Sequence, residues 1–100
     1  MSVDRPLRDA LAILLRRFIG GAITKREFMS RVEELPWSRT QDRGPLRMLG
    51  VMTISFDDGS DYRFPADGLD DVERELKGDL EGWVLFLESD LENEWPHDLK

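Results

Sequence analysis

One hundred residues, of which 40% are hydrophobic and 35% charged, suit a single soluble domain with a modest core and exclude a two-domain enzyme. The chain has no cysteine, which removes disulfides, thiolate metal sites and cysteine nucleophiles together and fits a reducing compartment. The formal charge of −7 hides a split, since residues 1–50 hold ten Lys/Arg against six Asp/Glu and residues 51–100 hold four against fifteen.

No apolar run approaches the roughly 18 residues that span a bilayer. Arg16 and Arg17 follow the first apolar stretch where a signal peptide needs small residues, so the expectation is a cytoplasmic protein. Leu7, Leu11, Leu14, Leu15 and Phe18 share one face of a predicted helix over 5–19. Asp4 stands as its cap, Pro6 in its first turn and Gly20-Gly21 as its stop. Thr24 and Glu27 then have the spacing of a capping box, flanked by the staple pair Ile23 and Phe28. Phe28, Val32 and Leu35 continue an apolar stripe until Pro36, completing a helical hairpin over 5–35. A loop-rich middle is expected over 36–68 and a C-terminal helical segment over 69–96, all within one domain.

Residues 45–57 admit two readings. Leu46, Leu49, Thr53 and Phe56 fit a helical face opened by Pro45, while Met48, Met52, Ile54 and Phe56 fit a strand. The strand reading turns at Asp57-Asp58-Gly59-Ser60 into Tyr62-Arg63-Phe64, giving a two-stranded hairpin over about 48–64. Leu69 to Lys77 then reads as helix, with Gly78 ending or bending it. From Asp79, the stripe Leu80, Trp83 or Val84, Leu87 and Leu91 predicts a buried central helix, which Asn93 and Pro96 stop. The fold class expected is mainly α, a bundle of four to five short helices, with an α+β arrangement as the alternative.

The C-terminal run from Trp83 through Ser89-Asp90-Leu91-Glu92-Asn93-Glu94-Trp95-Pro96 resembles the closing signature of a group of short bacterial proteins of uncharacterised activity. That group also opens with a Leu-rich helix, a Gly turn and a step like Ile23-Thr24-Lys25-Arg26-Glu27-Phe28. The resemblance implies a helix ending near Phe56-Asp57-Asp58, although Val51-Met52-Thr53-Ile54-Ser55 departs from the group's pattern. It implies fold and no activity. Gly21 to Leu35 is also similar to short helical oligomerisation modules, a pattern that helix capping produces by itself.

The inventory for catalysis is thin. His97 is the lone histidine, beside Pro96, and reads as a tail residue. Asp57 to Asp61 lacks the oxygen-ligand spacing of a calcium loop, with Gly68 where its closing Glu belongs. No phosphate-binding glycine motif occurs, so neither enzyme activity nor a metal or cofactor is expected. The acidic, aromatic tail of Asp90, Glu92, Glu94 and Trp95 is the candidate partner-binding surface. A simpler arrangement folds Trp95 back on the bundle, with Asp90 or Glu92 meeting Arg16 or Arg17. Arg16, Arg17, Arg26 and Arg31 form the candidate basic surface for nucleic acid, which the acidic total opposes. The functional expectation is a protein-interaction module that binds another protein or itself, in the manner of an inhibitor or immunity protein. A nucleic-acid-associated regulator is the alternative.

Overall fold

In the computed structural model, which describes residues 3–55, 61–65 and 67–89, helix α1 (Arg5–Ile19) begins where the Asp4 carboxylate accepts the Leu7 N–H at 3.1 Å. It ends at a turn in which Gly21 takes φ +77°. A Cβ on Gly21 would lie 2.6 Å from the Phe64 carbonyl oxygen, so both the backbone angle and the close approach demand glycine. Helix α2 (Lys25–Glu33) starts with the expected capping box, Thr24 and Glu27 each accepting the other's backbone N–H. After α2, the Trp37 indole N–H donates to the Val32 carbonyl at 2.6 Å, and a single 3-10 turn covers Trp37–Arg39.

The two readings of the middle segment resolve to helix α3 (Arg43–Ser55), and the described residues contain no strand. The alternative hairpin is therefore excluded over 48–55, and residues 61–65 run without regular structure. Its proposed turn at 57–60 lies outside the described residues. The buried face of α3 differs from the expected one: Met48 and Met52 are fully buried, whereas Leu46 is exposed and Leu49 half-buried. Residues i and i+4 share a face in a helix and in a strand alike, so this methionine pair carried no information about which was present. Within the middle of the chain, α3 supplies 13 helical residues.

Helix α4 (Asp71–Glu88) runs unbroken through Gly78, which neither ends nor interrupts it. Its start is a second capping box, Asp70 with Glu73, that fixes the entry of the chain. It ends at Glu88 with Ser89 as its C-cap, in extended conformation; the expected Leu91, Asn93 and Pro96 lie outside the described residues.

Helix α1 is the hub, packed most extensively on α4 and then on α2 and α3. Leu11, Leu15 and Phe18 meet Phe28, Val32, Met48, Met52, Leu80 and Leu87 in one core. Burying each such side chain stabilises the fold by about 1.5–3 kcal/mol. Phe64 completes it from the irregular segment, 2% exposed, with its ring centroid 5.1 Å from those of Phe18 and Tyr62. No described helix is long and apolar enough to cross a membrane.

Candidate functional site

The α1 and α4 helices lie antiparallel. Arg5 and Arg8, at the start of α1, reach the carbonyls that end α4, while Ile19 and Gly20 at its far end line a groove with Lys77 and Glu81. Helix α4 has no basic residue in its own last turn. Its unsatisfied carbonyls are met instead from α1: Arg5 donates to the Leu87 and Ser89 oxygens, and Arg8 to those of Phe86 and Ser89.

Arg8 also makes a buried polar contact. Its Nε and Nη2 donate to the two oxygens of Asp42 at 2.6 and 2.8 Å, with both side chains buried. The Arg8 guanidinium carbon lies 4.7 Å from the centre of the Phe86 ring. Asp42 accepts further hydrogen bonds from the backbone N–H groups of Asp4 and Gly44. Burial pushes its carboxyl up, but Arg8 and these N–H donors outweigh that and hold it below the usual carboxylate range. Gly44 is required at this point, since a Cβ there would sit 2.5 Å from the Phe86 ring. With every charge partnered, the cluster is a clamp rather than a reaction centre.

Sequence reasoning missed this pair, and only half of it was visible. Arg8 occupies the apolar stripe of α1, three and four positions before the buried Leu11 and Ala12, a place where an arginine must bring a partner. Nothing local points to Asp42, 34 residues away.

The four basic candidates do not form one surface. Arg16 turns toward α4 and pairs with Glu88 at 2.5 Å; the expected partners Asp90 and Glu92 lie outside the described residues. Arg26 stands beside Asp61, whose carboxylate accepts the Arg26 backbone N–H at 3.2 Å. Hydrogen bonding from Thr24 first, and then from Arg26, lowers the pKa of Asp61. Arg17 and Arg31 do come together, in a groove between α1 and α2 that also holds Ile13, Glu34 and Leu35. The acidic candidates Asp90, Glu92, Glu94 and Trp95, and His97 with them, lie outside the described residues.

The outward face beside Arg16 carries a feature the sequence reading overlooked. Within the apolar run of α4, Trp83, Val84, Phe86 and Leu87 are buried but Leu85 is 68% exposed. It lines the α1–α4 groove with Arg16, Ile19, Glu81 and Val84. A wheel drawn from the buried positions places Leu85 opposite the core, so the signal was present but hidden inside a continuous hydrophobic run. Among the described residues no cluster of His, Cys, Asp or Glu is arranged to hold a metal ion.

Compared with known proteins, the chain matches no protein-family model, no curated protein and no solved structure.

Proposed function

We propose that this chain is a cytoplasmic protein-interaction module, without chemistry of its own, that receives a basic partner on the outward face of α4 and on the acidic tail that follows. The observation that carries this reading is Leu85, a large apolar side chain exposed in a groove and bracketed on its helix by the exposed carboxylates Glu81 and Glu88. An apolar anchor rimmed by charge is the composition of a recognition surface, in which the anchor gives affinity and the rim gives orientation and rate. Asp90, Glu92, Glu94 and Trp95 extend the same composition along the sequence. The small, acidic chain suits blocking a basic partner, as an inhibitor or immunity protein would.

The nucleic-acid reading draws less support, because Arg16 is engaged by Glu88, Arg26 stands beside Asp61, and Glu34 shares the groove of Arg17 and Arg31. The test is calorimetric titration with an amphipathic helical peptide of Lys and Leu, and separately with duplex DNA. Peptide binding that weakens with salt and is reduced by Leu85→Glu, Trp95→Ala and Glu94→Lys supports the proposal. DNA binding that is lost in Arg26→Glu and Arg31→Glu, with no peptide binding, overturns it.

A further inference from the structure

We propose that the chain's own acidic, aromatic segment from Asp90 to Trp95 docks on the outward face of α3, with its carboxylates on Arg43 and Arg47 and its tryptophan over Leu46 and Gly50.

That face is a stripe. Arg43, Leu46, Arg47 and Gly50 follow the i, i+3, i+4, i+7 spacing of one side of a helix, and all four are exposed. Gly44, Pro45, Met48 and Met52 turn the other way and are buried. Leu46 keeps an apolar side chain 38% exposed. Gly50, one turn on, leaves backbone uncovered, with nothing within 4 Å of where a Cβ would stand.

The charge of the stripe is unanswered within the described fold. Arg39, in the 3-10 turn just before α3, is exposed as well, and among the described residues none of these three arginines has a carboxylate at ion-pairing distance. Helix α3 contains no acidic residue, although the chain holds 21 Asp and Glu. Asp42, just before it, is buried and paired with Arg8. Arg43 and Arg47, four positions apart, repel each other, and Arg43 stands at the positive end of the helix dipole. An anionic occupant relieves both strains.

The chain delivers such an occupant to this place. The Arg8 guanidinium that binds Asp42 also donates to the Ser89 carbonyl at 3.2 Å, and the Phe86 ring lies against Gly44, so α4 ends beside the first turn of α3. The sequence that follows Ser89 is Asp90-Leu91-Glu92-Asn93-Glu94-Trp95, with three carboxylates and no cation. Six residues reach roughly 20 Å when extended, whereas Arg43 to Gly50 spans roughly 10 Å of helix. Trp95 therefore reaches Gly50 with slack for the path around α3. Carboxylates two residues apart on an extended chain stand roughly 7 Å from each other, close to the roughly 6 Å rise between Arg43 and Arg47. A tethered segment acts at an effective concentration of roughly millimolar order, so weak individual contacts suffice. The net charge of −7 works against free polyanions such as nucleic acid at the same face.

Docked in this way, the tail is closed in the free chain, and a basic partner has to displace it from Arg43 and Arg47. That consequence, though not the contact itself, rests on the proposed interaction function.

The test exploits the absence of cysteine. A single nitroxide label on His97→Cys is read by paramagnetic broadening of backbone amide signals in the full chain. At low salt the broadening at Arg47 and Gly50 should be roughly threefold or more that at Arg31 on α2, and should fade toward about 0.5 M salt. Arg43→Glu with Arg47→Glu should abolish it, as should Glu92→Arg with Glu94→Arg, which leaves the described fold untouched. All four substitutions together should restore it, with an unchanged far-ultraviolet circular dichroism spectrum. No excess broadening at α3, or broadening indifferent to both charge reversals, overturns the inference. An α3 that shows no broadening but whose signals shift with duplex DNA overturns it too and assigns the face to nucleic acid. A chain without broadening that still binds the Lys/Leu peptide loses the contact and keeps the interaction function; broadening in a chain that binds no peptide keeps the contact and removes that function.

Discussion

Arg8 and Asp42 meet through two hydrogen bonds, at 2.6 and 2.8 Å, with both side chains buried. The pair ties the first helix to the loop before α3, and through the spare donors of Arg8 to the end of α4. Three parts of the chain therefore depend on one ion pair.

Removing one partner should be far more damaging than removing both. Asp42→Ala leaves a buried guanidinium without its counter-ion and is expected to cost about 3–5 kcal/mol. Adding Arg8→Met to Asp42→Ala should recover part of that loss, because the stranded charge is gone while the stem of the side chain still packs. Urea unfolding of the three proteins checks this. A loss below about 1 kcal/mol in Asp42→Ala would mean that the pair is solvated in solution.

The same carboxylate sets the acid limit of the fold. Its folded pKa lies below its unfolded value of about 3.9, so its contribution is complete above that value and is lost as pH falls through the lower, folded pKa. Glu27 and Asp61, both lowered by hydrogen bonding, act in the same direction. Wild-type stability should fall below about pH 4, and the gap between wild type and Asp42→Asn should narrow over the same range. Denaturant titrations at pH 7, 4 and 2 measure both.

Two glycine-to-alanine substitutions should have opposite signs. At Gly44 the new methyl would meet the Phe86 ring at 2.5 Å and Arg8 Nη2 at 3.2 Å, within the clamp. A destabilisation of about 1–3 kcal/mol is expected. At Gly78, exposed on α4 with nothing within 4 Å, Gly78→Ala should stabilise by about 0.4–1 kcal/mol. Thermal melts of the two variants decide it.

The face of α3 can be read by alanine. Met48→Ala should cost about 2–5 kcal/mol and Leu46→Ala less than about 1, since Met48 is fully buried and Leu46 is 38% exposed. Phe64→Ala should cost about 3–5 kcal/mol, as large as a core deletion within a helix, although Phe64 lies in no regular element. Equal effects for Met48→Ala and Leu46→Ala would show that α3 is rotated.

How much of this was legible depends on how local each signal is. Asp4, Thr24 and Glu27 act within a few residues of themselves, and the boundaries they mark for α1 and α2 hold. Asp70 and Glu73 form an equally local box, but neighbouring acids such as Asp71 also suit a helix N-terminus by charge alone, so the cap does not stand out in the sequence. The orientation of α3 was not legible, because Met48 and Met52 satisfy two periodicities at once and only packing against α1 separates them. Nor was the role of residues 61–65, where composition reads as loop while Phe64 and Tyr62 join the ring cluster around Phe18. Of the candidate site residues, Arg17 and Arg31 share a groove while Arg16 and Arg26 stand apart from it, and the tail lies outside the described residues.

The reliance of α1 on α4 governs the order in which this chain can mature. Arg5 finds its acceptors 82 and 84 positions downstream. During synthesis the first helix and its apolar stripe emerge long before the helix that covers them, and Arg8 waits with its end of the bundle open. Closing so long a loop is a slow, entropically opposed step. The nascent hairpin of α1 and α2 is thus an incomplete core, and arrested or truncated chains that lack α4 should be substrates for chaperones and proteases rather than stable fragments.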